Sequence, residues 1–360
     1  MKDCVVVGGG LIGMLSAREL ALAGVQVTIV ERGQAGQESS WAGGGILSPL
    51  YPWRYPAAVT QLAQSGQAGY QALAEALFEQ TGIEPEWQQS GLLMLDVAGH
   101  DEAVAWAQRN DVVLERLEDD DIQRCEPSIQ GFQRTALWMP EVAQIRNPRL
   151  LAALRRSLEL LGVVFEEQAE VVSLQQQGGR ITGVETTTGI HQAENVVIAS
   201  GAWSRDLLAG VGCSIEVEPV RGQMLLYKGP PGLLHTIVMQ DGHYVIPRRD
   251  GHVLVGSTVE YVGFDKSTTE SAANALRQVA EQLVPELGAI EVVRHWAGLR
   301  PGSVDGVPYI GAHPEVSGLY VNAGHFRNGV VLGPGSAQLL ADVMLGRTSG
   351  LNESLYAIER

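Results

Sequence analysis

Hydrophobic and polar positions near the start of the chain follow first a strand pattern and then a helical one. Residues 4–7 read CVVV, a continuous apolar run of the kind that a strand buried on both faces of a parallel sheet requires. Small and apolar side chains then recur at helical spacing from Gly13 to Ala21, and Gly24 is placed to end that helix. The apolar segment VQVTIV follows at 25–30. The pattern predicts a strand, a helix and a second buried strand.

The same periodicities divide the rest of the chain. Helices are predicted over residues 57–81, 101–110, 147–161, 269–284 and 335–345. Strands are predicted within 90–97, 163–200, 219–227, 243–258, 292–299 and 318–324, with turns at Gly178-Gly179 and Arg249-Asp250-Gly251. Asn147 is expected to cap its helix and Pro148 to occupy the first turn. Residues 33–56, rich in Gly, Ser and Pro, are expected to be irregular.

The order of these elements bears on the domain organisation. A βαβ unit opens the chain, buried strands return near residues 196 and 319, and antiparallel-looking strands are interleaved between them. Strands that share one sheet despite such excursions make domains that are discontinuous in sequence. The expected fold class is therefore α/β with a mixed α+β character, in which a Rossmann-like domain accompanies a second domain with an antiparallel sheet.

The composition narrows the class of protein. Of the 360 residues, 45% are hydrophobic and 18% charged, which is enough to build a sizeable core. Asp and Glu number 41 against 25 Lys and Arg, so the net charge of −16 argues against binding nucleic acid or anionic membranes. No apolar stretch of about 18 residues occurs, so no membrane span is expected.

Cysteine and histidine spacing argues against a disulfide frame and a metal centre. Cys4, Cys125 and Cys213 are far apart and form no CxxC pair, which predicts reduced thiols in a cytoplasmic protein. The histidines show no HxxxH or HExxH spacing, so no metal site is expected.

A glycine-rich turn connects the first strand to the first helix. Gly8, Gly10 and Gly13 form a GxGxxG pattern, in which the first glycine permits the turn, the second admits a pyrophosphate and the third allows close packing. Free N–H groups at the start of the helix then face the phosphates. Glu31 ends the second strand, where an acid binds ribose hydroxyls. The spacing predicts a site for NAD or FAD.

The next segment, ESSWAGGGILSP at 38–49, favours FAD. Ser39 and Ser40 offer hydroxyls to phosphate, and the glycines at 43–45 let the backbone approach a cofactor that extends beyond its pyrophosphate. A flexible loop is the alternative interpretation.

An arginine lies in the otherwise apolar and glycine-rich segment AGLRPGSVDGVPYIG, residues 297–311. Arg300 is expected to be poorly hydrated there, and its planar fork suits a carboxylate. Gly298 and Gly302 are expected to leave room near the cofactor. The alternative is a structural arginine that pairs with Asp305 or with a backbone carbonyl.

A second arginine segment, NAGHFRNGVVLGPG at 322–335, follows a strand and contains Arg327. Gly333-Pro334-Gly335 is predicted to lead directly into the last helix. A helix N-terminus at that point would stabilise negative charge on a reduced flavin. A cap on the end of the sheet is the alternative.

Taken together, these segments resemble the FAD-dependent D-amino-acid oxidase family. The resemblance covers nearly the whole chain and rests on the glycine fingerprint, SSWAGGG, HYVIPRR, WAGLRPGSVDGVPYIG and AGHFRNGVVLGPG. It implies noncovalent FAD in a discontinuous FAD-binding domain, residues 1–85, 148–215 and 300–360. It also implies a substrate-binding domain, residues 86–147 and 216–299, whose antiparallel sheet lies over the flavin.

The resemblance also carries site residues over by motif. Arg300 would bind a substrate carboxylate, Tyr244 would hydrogen-bond it, and Arg327 would lie at the same site. The residues implied in FAD contact are Gly8, Gly10, Ile12, Gly13, Glu31, Arg32, Ser39, Ser40, Gly44, Gly45, Ile46, Val171, Gly201 and the run Arg327, Asn328, Gly329, Val330, Val331, Leu332 and Gly333. Some relatives have a histidine at the position of Gly242, so the adjacent His243 is given no role.

The implied reaction is oxidative deamination of glycine, sarcosine and small D-amino acids, with O₂ as acceptor and an imine, glyoxylate, ammonia and H₂O₂ as products. The imine is expected to supply the thiazole of thiamine, with a thiazole synthase as downstream partner. A cytoplasmic homotetramer is implied. The alternatives are a D-amino-acid dehydrogenase or a sarcosine-type oxidase on the same fold, a non-catalytic flavoprotein, and an NAD-dependent dehydrogenase.

Overall fold

The computed structural model describes residues 3–129 and 135–360, so residues 1–2 and 130–134 of the predicted domains lie outside it. Its helices are α1 (Leu11–Leu22), α2 (Ser39–Ala42), α3 (Ala57–Thr81), α4 (His100–Arg109), α5 (Asp119–Cys125), α6 (Asn147–Leu160), α7 (Ser204–Ala209), α8 (Glu270–Leu283) and α9 (Gly329–Leu345). Its strands are β1 (Cys4–Val7), β2 (Val27–Val30), β3 (Gln88–Gln89), β4 (Leu92–Leu95), β5 (Glu115–Leu117), β6 (Ala136–Met139), β7 (Ala143–Gln144), β8 (Val164–Glu166), β9 (Val171–Gln177), β10 (Arg180–Thr186), β11 (Gly189–Gln192), β12 (Asn195–Ile198), β13 (Val217–Lys228), β14 (Ile237–Gln240), β15 (His243–Pro247), β16 (His252–Gly256), β17 (Val292–Ser303), β18 (Tyr309–Ala312) and β19 (Leu319–Ala323).

The parallel sheet is assembled from distant parts of the chain. Its strand order is β18–β19–β12–β1–β2–β8, with β1 parallel to both β2 and β12, and β12 parallel to β19. Cys4 and Val6 of β1 pack towards α1, α3, α6 and α9, whereas Val5 and Val7 pack towards the sheet β11–β10–β9. This burial on both faces explains the unbroken apolar run, and the predicted return of the chain to the first sheet is confirmed.

The second sheet has the order β17–β13–β16–β15–β14–β4–β6–β5, and its strands pair antiparallel except for β14 with β4. Long strands β13 and β17 pair in a register that places Val220 opposite Arg300 and Gly222 opposite Gly298. The predicted fold class, a Rossmann-like domain with a second antiparallel-sheet domain, is confirmed. Strand β17 continues to Ser303, so the domain boundary expected at residue 300 lies inside a strand.

The predicted cap of α6 is wrong. The helix begins at Asn147 itself, and the Asn147 amide Nδ2 donates to Ser40 O at 2.7 Å instead of capping the helix. A tertiary contact to the segment containing α2 has thus replaced the local hydrogen bond that the sequence favoured. Helix α2 itself lies inside the segment expected to be irregular.

The predicted start of α9 is also wrong. The helix begins at Gly329, so Pro334 lies inside it instead of just before it. A proline at that position has no N–H to donate to Val330 O, four residues earlier. The buried Tyr70 hydroxyl donates to Val330 O at 2.6 Å and satisfies this carbonyl. The prediction failed because that donor comes from α3, far away in sequence.

The expectations about a membrane span and about a metal site can be compared with the described residues. Within residues 3–129 and 135–360, no helix is long and apolar enough to cross a membrane. The same residues contain no group of three or more acidic, histidine or cysteine side chains placed to hold a metal ion. All three cysteines are free thiols.

Candidate active site

A cavity of about 490 Å³ opens where the carboxyl ends of the parallel strands meet. The residues that follow β1, β2, β12 and β19 line it, which is where open α/β sheets bind their ligands. Its other wall contains Arg300 and Pro301, from the end of β17. The cleft therefore lies between the two large sheets.

The glycine turn is required by close backbone packing. Gly8 has a φ of +109°, and a Cβ there would lie 2.5 Å from Ala199 O of the neighbouring strand. A Cβ on Gly13 would overlap Gly8 O. Helix α1 begins at Leu11, whose N–H donates to Ser40 Oγ at 2.8 Å, and Gly10 and Leu11 line the large cavity. A helix N-terminus facing a cleft fits an anionic pyrophosphate.

Glu31 is oriented at the end of β2 by backbone donors. Its Oε2 accepts from Gly9 N at 2.8 Å and its Oε1 accepts from Gly33 N at 2.9 Å. Each carboxylate oxygen keeps a further lone pair for a hydroxyl donor. The arrangement fits the ribose of a dinucleotide, as the spacing predicted.

At the same end of the cleft, Arg32, which the family motif implied, meets side chains that the sequence did not single out. The Arg32 guanidinium lies 3.5 Å from the centre of the Trp203 ring and pairs with Glu38 at 2.8 Å. From the loop after β16, Lys266 also pairs with Glu38 at 3.0 Å, and Phe264 stacks on Trp203. No motif identifies this contact, because it joins parts of the chain that are far apart in sequence.

A second cavity of about 80 Å³ adjoins the large one, since Ser39, Gly43, Arg300, Arg327 and Val330 line both. The glycine triplet forms one of its walls. A Cβ on Gly44 would lie 2.7 Å from Ile246 Cδ1 and 3.3 Å from Tyr244 Cε2, and a Cβ on Gly45 would overlap Ile145 O. Close packing around the small cavity therefore requires glycine at these positions, and the triplet is not a flexible loop.

Arg300 is held by neutral acceptors. Its Nη1 donates to Thr258 O at 3.1 Å and its Nη2 donates to Ser257 Oγ at 2.7 Å. Among the residues that the structure describes, no carboxylate lies within 4.0 Å of this guanidinium. The alternative of a pair with Asp305 is wrong, because Asp305 pairs with Arg360 at 3.7 Å and not with Arg300. The alternative contact with a backbone carbonyl is present, at Thr258 O. Burial lowers the pKa of Arg300 from its usual value, and the charge of Arg327 acts in the same direction.

The room around Arg300 comes from a glycine that the sequence did not indicate. A Cβ on Gly222, on the adjacent strand β13, would overlap the Arg300 guanidinium. The glycines expected to leave room near the cofactor serve other contacts, since a Cβ on Gly298 would meet Ala42 Cβ and one on Gly302 would meet Val220. Gly222 pairs with Gly298, two residues before Arg300, so it could have been found only with the strand register known.

Arg300, Tyr244 and Arg327 line the same small cavity, although three separate segments supply them. The Tyr244 hydroxyl lies 4.0 Å from Met224 Sδ, and its ring packs where a side chain on Gly256 would sit. Arg327 Nη2 donates to Gly242 O at 3.4 Å. The arrangement combines two cations and a phenol at one end of the dinucleotide cleft.

The structure divides the residues expected to contact a cofactor into three groups. Those that line the large cavity are Gly8, Gly10, Ile12, Glu31, Arg32, Ser39, Ser40, Val171, Gly201, Arg327, Gly329 and Val330. Those that line the small cavity include Gly44, Gly45 and Ile46. Gly13, Asn328, Val331, Leu332 and Gly333 line neither: Gly13 packs under the turn, Asn328 precedes α9, and the last three lie buried in its first turns.

His325 is a buried residue of the large cavity that the sequence left without a role. Its Nε2 lies 3.0 Å from Ser336 Oγ, which itself donates to Leu332 O. Burial lowers the pKa of His325 to about 3. The imidazole is therefore neutral throughout the physiological range.

We expect this burial to make the protein less stable in mild acid. The unfolded chain binds a proton at His325 below about pH 6.5 and the folded protein does not, so stability is complete above that pH and falls as the pH drops towards 3. Between pH 7.5 and 5.5 the free energy of unfolding should fall by about 1.4 kcal/mol from this residue alone. Urea unfolding of His325→Gln should lack that part of the loss, whereas His191→Gln, in β11, should retain it. An equal loss in both variants would contradict the assignment.

Known proteins resemble this chain along its whole length. The family model described as FAD dependent oxidoreductase matches residues 3–343. A glycine oxidase from Pseudomonas aeruginosa is 49% identical over 355 residues, which cover 98% of this chain and 97% of that protein. The bifunctional protein ThiO/ThiG from Trichormus variabilis is 32% identical over 354 residues, covering 97% of this chain but 53% of that protein.

Comparison with solved structures also finds glycine oxidases. The crystal structure of glycine oxidase from Geobacillus kaustophilus matches with a TM-score of 0.94 at 32% identity, covering 100% of this chain and 99% of that one. The glycine turn, Glu31 and the start of α1 at the cleft fit the dinucleotide FAD, which the description of the family names. The predicted cofactor, FAD, is thereby confirmed, and the chain belongs to the FAD-dependent oxidoreductase family.

Proposed function

We propose that this enzyme oxidises glycine, and with it sarcosine and small D-amino acids, to the imine, with O₂ as electron acceptor. The observation that carries the proposal is Arg300: a guanidinium without a carboxylate partner among the described residues faces a small cavity beside the FAD cleft. A buried cation of this kind is stabilised by an anionic ligand. The glycine oxidases that share its length and fold support the choice of substrate.

The proposed roles follow from the donors that remain free. Two of the five N–H donors of Arg300 are used by Thr258 and Ser257, which leaves the others for a substrate carboxylate. Tyr244 adds a neutral donor, and Arg327 adds a second positive charge at the same cavity. The three side chains orient a small amino acid by its carboxylate, and such positioning supplies most of the catalysis in this proposal.

The cofactor provides the redox chemistry. Bound FAD would accept two electrons as the Cα–H bond is oxidised, and O₂ would then be reduced to H₂O₂. The described lining of the small cavity contains neither a carboxylate nor an imidazole, so these residues provide no general base. The substrate therefore reacts with its amine neutral, and water hydrolyses the imine to glyoxylate and ammonia.

A substrate panel tests the proposal. Purified protein is given glycine, sarcosine, D-alanine and D-proline under air, and H₂O₂ is measured. Peroxide formed with glycine supports the proposal. A preference for sarcosine indicates the sarcosine-type alternative, and turnover with a dye or quinone but little peroxide indicates the dehydrogenase. Failure of every amine to reduce the bound FAD without air would overturn the proposal in favour of a non-catalytic flavoprotein.

We further propose that the imine supplies a thiazole synthase in thiamine biosynthesis. The support is the fused ThiO/ThiG relative, of which this chain spans about half the length. A thiazole synthase is the downstream partner in this proposal. Complementation of a thiamine-requiring strain that lacks its own glycine oxidase tests this step.

The oligomer, the compartment and the domain boundaries remain proposals that rest on the family resemblance. We propose a cytoplasmic homotetramer, with FAD in residues 1–85, 148–215 and 300–360 and the substrate-binding domain in residues 86–147 and 216–299. Light scattering of the purified holoenzyme tests the tetramer, since a monomer or dimer at working concentration would exclude it.

Gly13 provides a test of the FAD site itself. In Gly13→Ala the new Cβ overlaps Gly8 O, so the turn must shift. This shift displaces the N–H groups that we assign to the pyrophosphate. We expect the dissociation constant of FAD to rise about tenfold, equivalent to about 1.4 kcal/mol. Flavin fluorescence measures the affinity. Gly69→Ala, in α3 with open space around the new Cβ, is the matched control and should bind FAD normally.

A further inference from the structure

Arg248 is a buried cation that lines neither cavity. It follows β15, four residues after Tyr244, and its side chain is only 7% exposed. In the described part of the chain it has no carboxylate partner, and burial together with the charge of Arg146 lowers its pKa to about 10. A buried charge without a counter-ion is costly, so the contacts that retain it call for an explanation.

Those contacts join three segments around the small cavity. Arg248 Nη2 donates to Gly44 O at 2.8 Å, and Nη1 donates to Gln144 Oε1 at 2.6 Å and to Ile145 O at 3.1 Å. The Gln144 amide is itself oriented, because its Nε2 donates to Ser90 Oγ at 3.0 Å. One guanidinium thus links the glycine triplet, the segment after β7 and the strand that carries Tyr244.

Two carbonyls of the glycine triplet are engaged by the protein, whereas the N–H groups of residues 44–46 are not. The remaining N–H of the triplet, that of Gly43, donates to Ser39 O at 3.2 Å. Gly44 O accepts from Arg248, and Gly45 O accepts from Ile145 N at 2.8 Å. Within the described residues the N–H groups of Gly44, Gly45 and Ile46 have no hydrogen-bond partner, although all three residues line the small cavity. The wall therefore offers the N–H groups of 44–46 to a bound group, while the carbonyls of Gly44 and Gly45 accept from other parts of the protein.

We propose that Arg248 is a positioning residue that holds the Gly44 carbonyl away from the cavity, so that the N–H groups of 44–46 form a donor-only wall for the acceptor edge of the flavin. The flavin ring has carbonyl oxygens and unprotonated nitrogens that accept hydrogen bonds, which matches such a wall. The inference rests on FAD binding at this site and does not depend on which amine is oxidised. Arg248 touches neither substrate nor cofactor and acts through the backbone of the triplet.

The test removes the guanidinium and then returns it. In Arg248→Ala we expect the dissociation constant of FAD to rise at least about tenfold. The visible absorption band of the FAD that still binds should change in position, because its hydrogen bonds have changed. Added guanidinium chloride at millimolar concentration should restore both the affinity and the spectrum, whereas urea, which has a similar shape and no charge, should restore neither.

Arg249→Ala is the matched control. Arg249 is the next residue and is half exposed, pairing with Glu84 at 2.7 Å, so its loss should leave FAD affinity and spectrum unchanged. Arg248→Lys keeps a buried charge but cannot reach three acceptors at once, and it should bind FAD with intermediate affinity. This variant provides the measurement if Arg248→Ala does not fold.

Three outcomes would overturn the proposal. They are FAD affinity in Arg248→Ala equal to that of the Arg249 control, recovery with urea as good as with guanidinium, and wild-type affinity and spectrum in Arg248→Lys. None of these depends on turnover. A wild-type protein that binds FAD but does not oxidise glycine would instead contradict the proposed function and leave this inference standing.

Discussion

Replacing Arg300 with methionine should cost about 2–5 kcal/mol of transition-state binding for glycine, a loss of roughly 30-fold to several thousand-fold in kcat/KM. The physical reason is that the substrate carboxylate would enter a desolvated cavity and find its main charge partner missing. Most of the loss should appear in KM, because the carboxylate is bound in the ground state as well as in the transition state. Steady-state H₂O₂ production at several glycine concentrations measures both constants.

The acids near Arg300 cannot replace a substrate as its partner. Glu260 affects the pKa of Arg300, but its carboxylate pairs with Arg221 at 2.6 Å and accepts from Gln223 at 2.9 Å. Arg300→Lys should recover only part of the activity, since an ammonium lacks the planar fork that matches a carboxylate.

The control for Arg300→Met separates this role from a general effect of removing charge. Arg277→Met, on the exposed face of α8, removes the same charge far from both cavities and should leave kcat/KM unchanged. FAD content should remain that of the wild type in both variants. Unchanged glycine kinetics in Arg300→Met, with FAD bound, would show that Arg300 does not bind the carboxylate.

The second large effect is expected at Gly222, which no sequence motif marks. In Gly222→Ala the new Cβ overlaps the Arg300 guanidinium, so that side chain must leave Ser257 Oγ and Thr258 O. The variant should lose about tenfold to a hundredfold in kcat/KM for glycine, although residue 222 carries no functional group. FAD binding should be unaffected, since the three atoms nearest to the new Cβ all belong to the Arg300 guanidinium.

A double-mutant cycle checks the cause of that effect. If Gly222→Ala acts by displacing Arg300, then adding it to Arg300→Met should change kcat/KM by less than about twofold, because the group that it displaces is already gone. Additive losses in the double variant would mean that Gly222 acts on something else, such as the shape of the cavity wall. The cycle thus tests the strand register of β13 and β17 as well as the role of Arg300.

Local patterns predicted the elements whose signals are local. Helix α3 spans Ala57–Thr81 as predicted, because its periodicity extends over many turns and Gly82 ends it with a φ of +72°. The GxGxxG turn follows the same logic at Gly13, where a Cβ would overlap Gly8 O, five residues earlier. At Gly8 the close contact is with Ala199 O, far away in sequence. The errors at Asn147 and at the start of α9 arose where a partner distant in sequence supplied the hydrogen bond.

The sequence by itself determined the fold class and the site for a dinucleotide, and its resemblance to a family pointed to the three side chains that meet at the small cavity. Those conclusions depend on hydrophobic period, on glycines required by tight backbone turns, and on long motifs, all of which are readable along the chain. Only the tertiary structure decided that Arg300 has no acidic partner, that Gly222 makes room for it, and that Arg248 holds the glycine triplet. Each of these depends on strand register and on contacts between segments far apart in sequence, and a linear pattern does not contain that information.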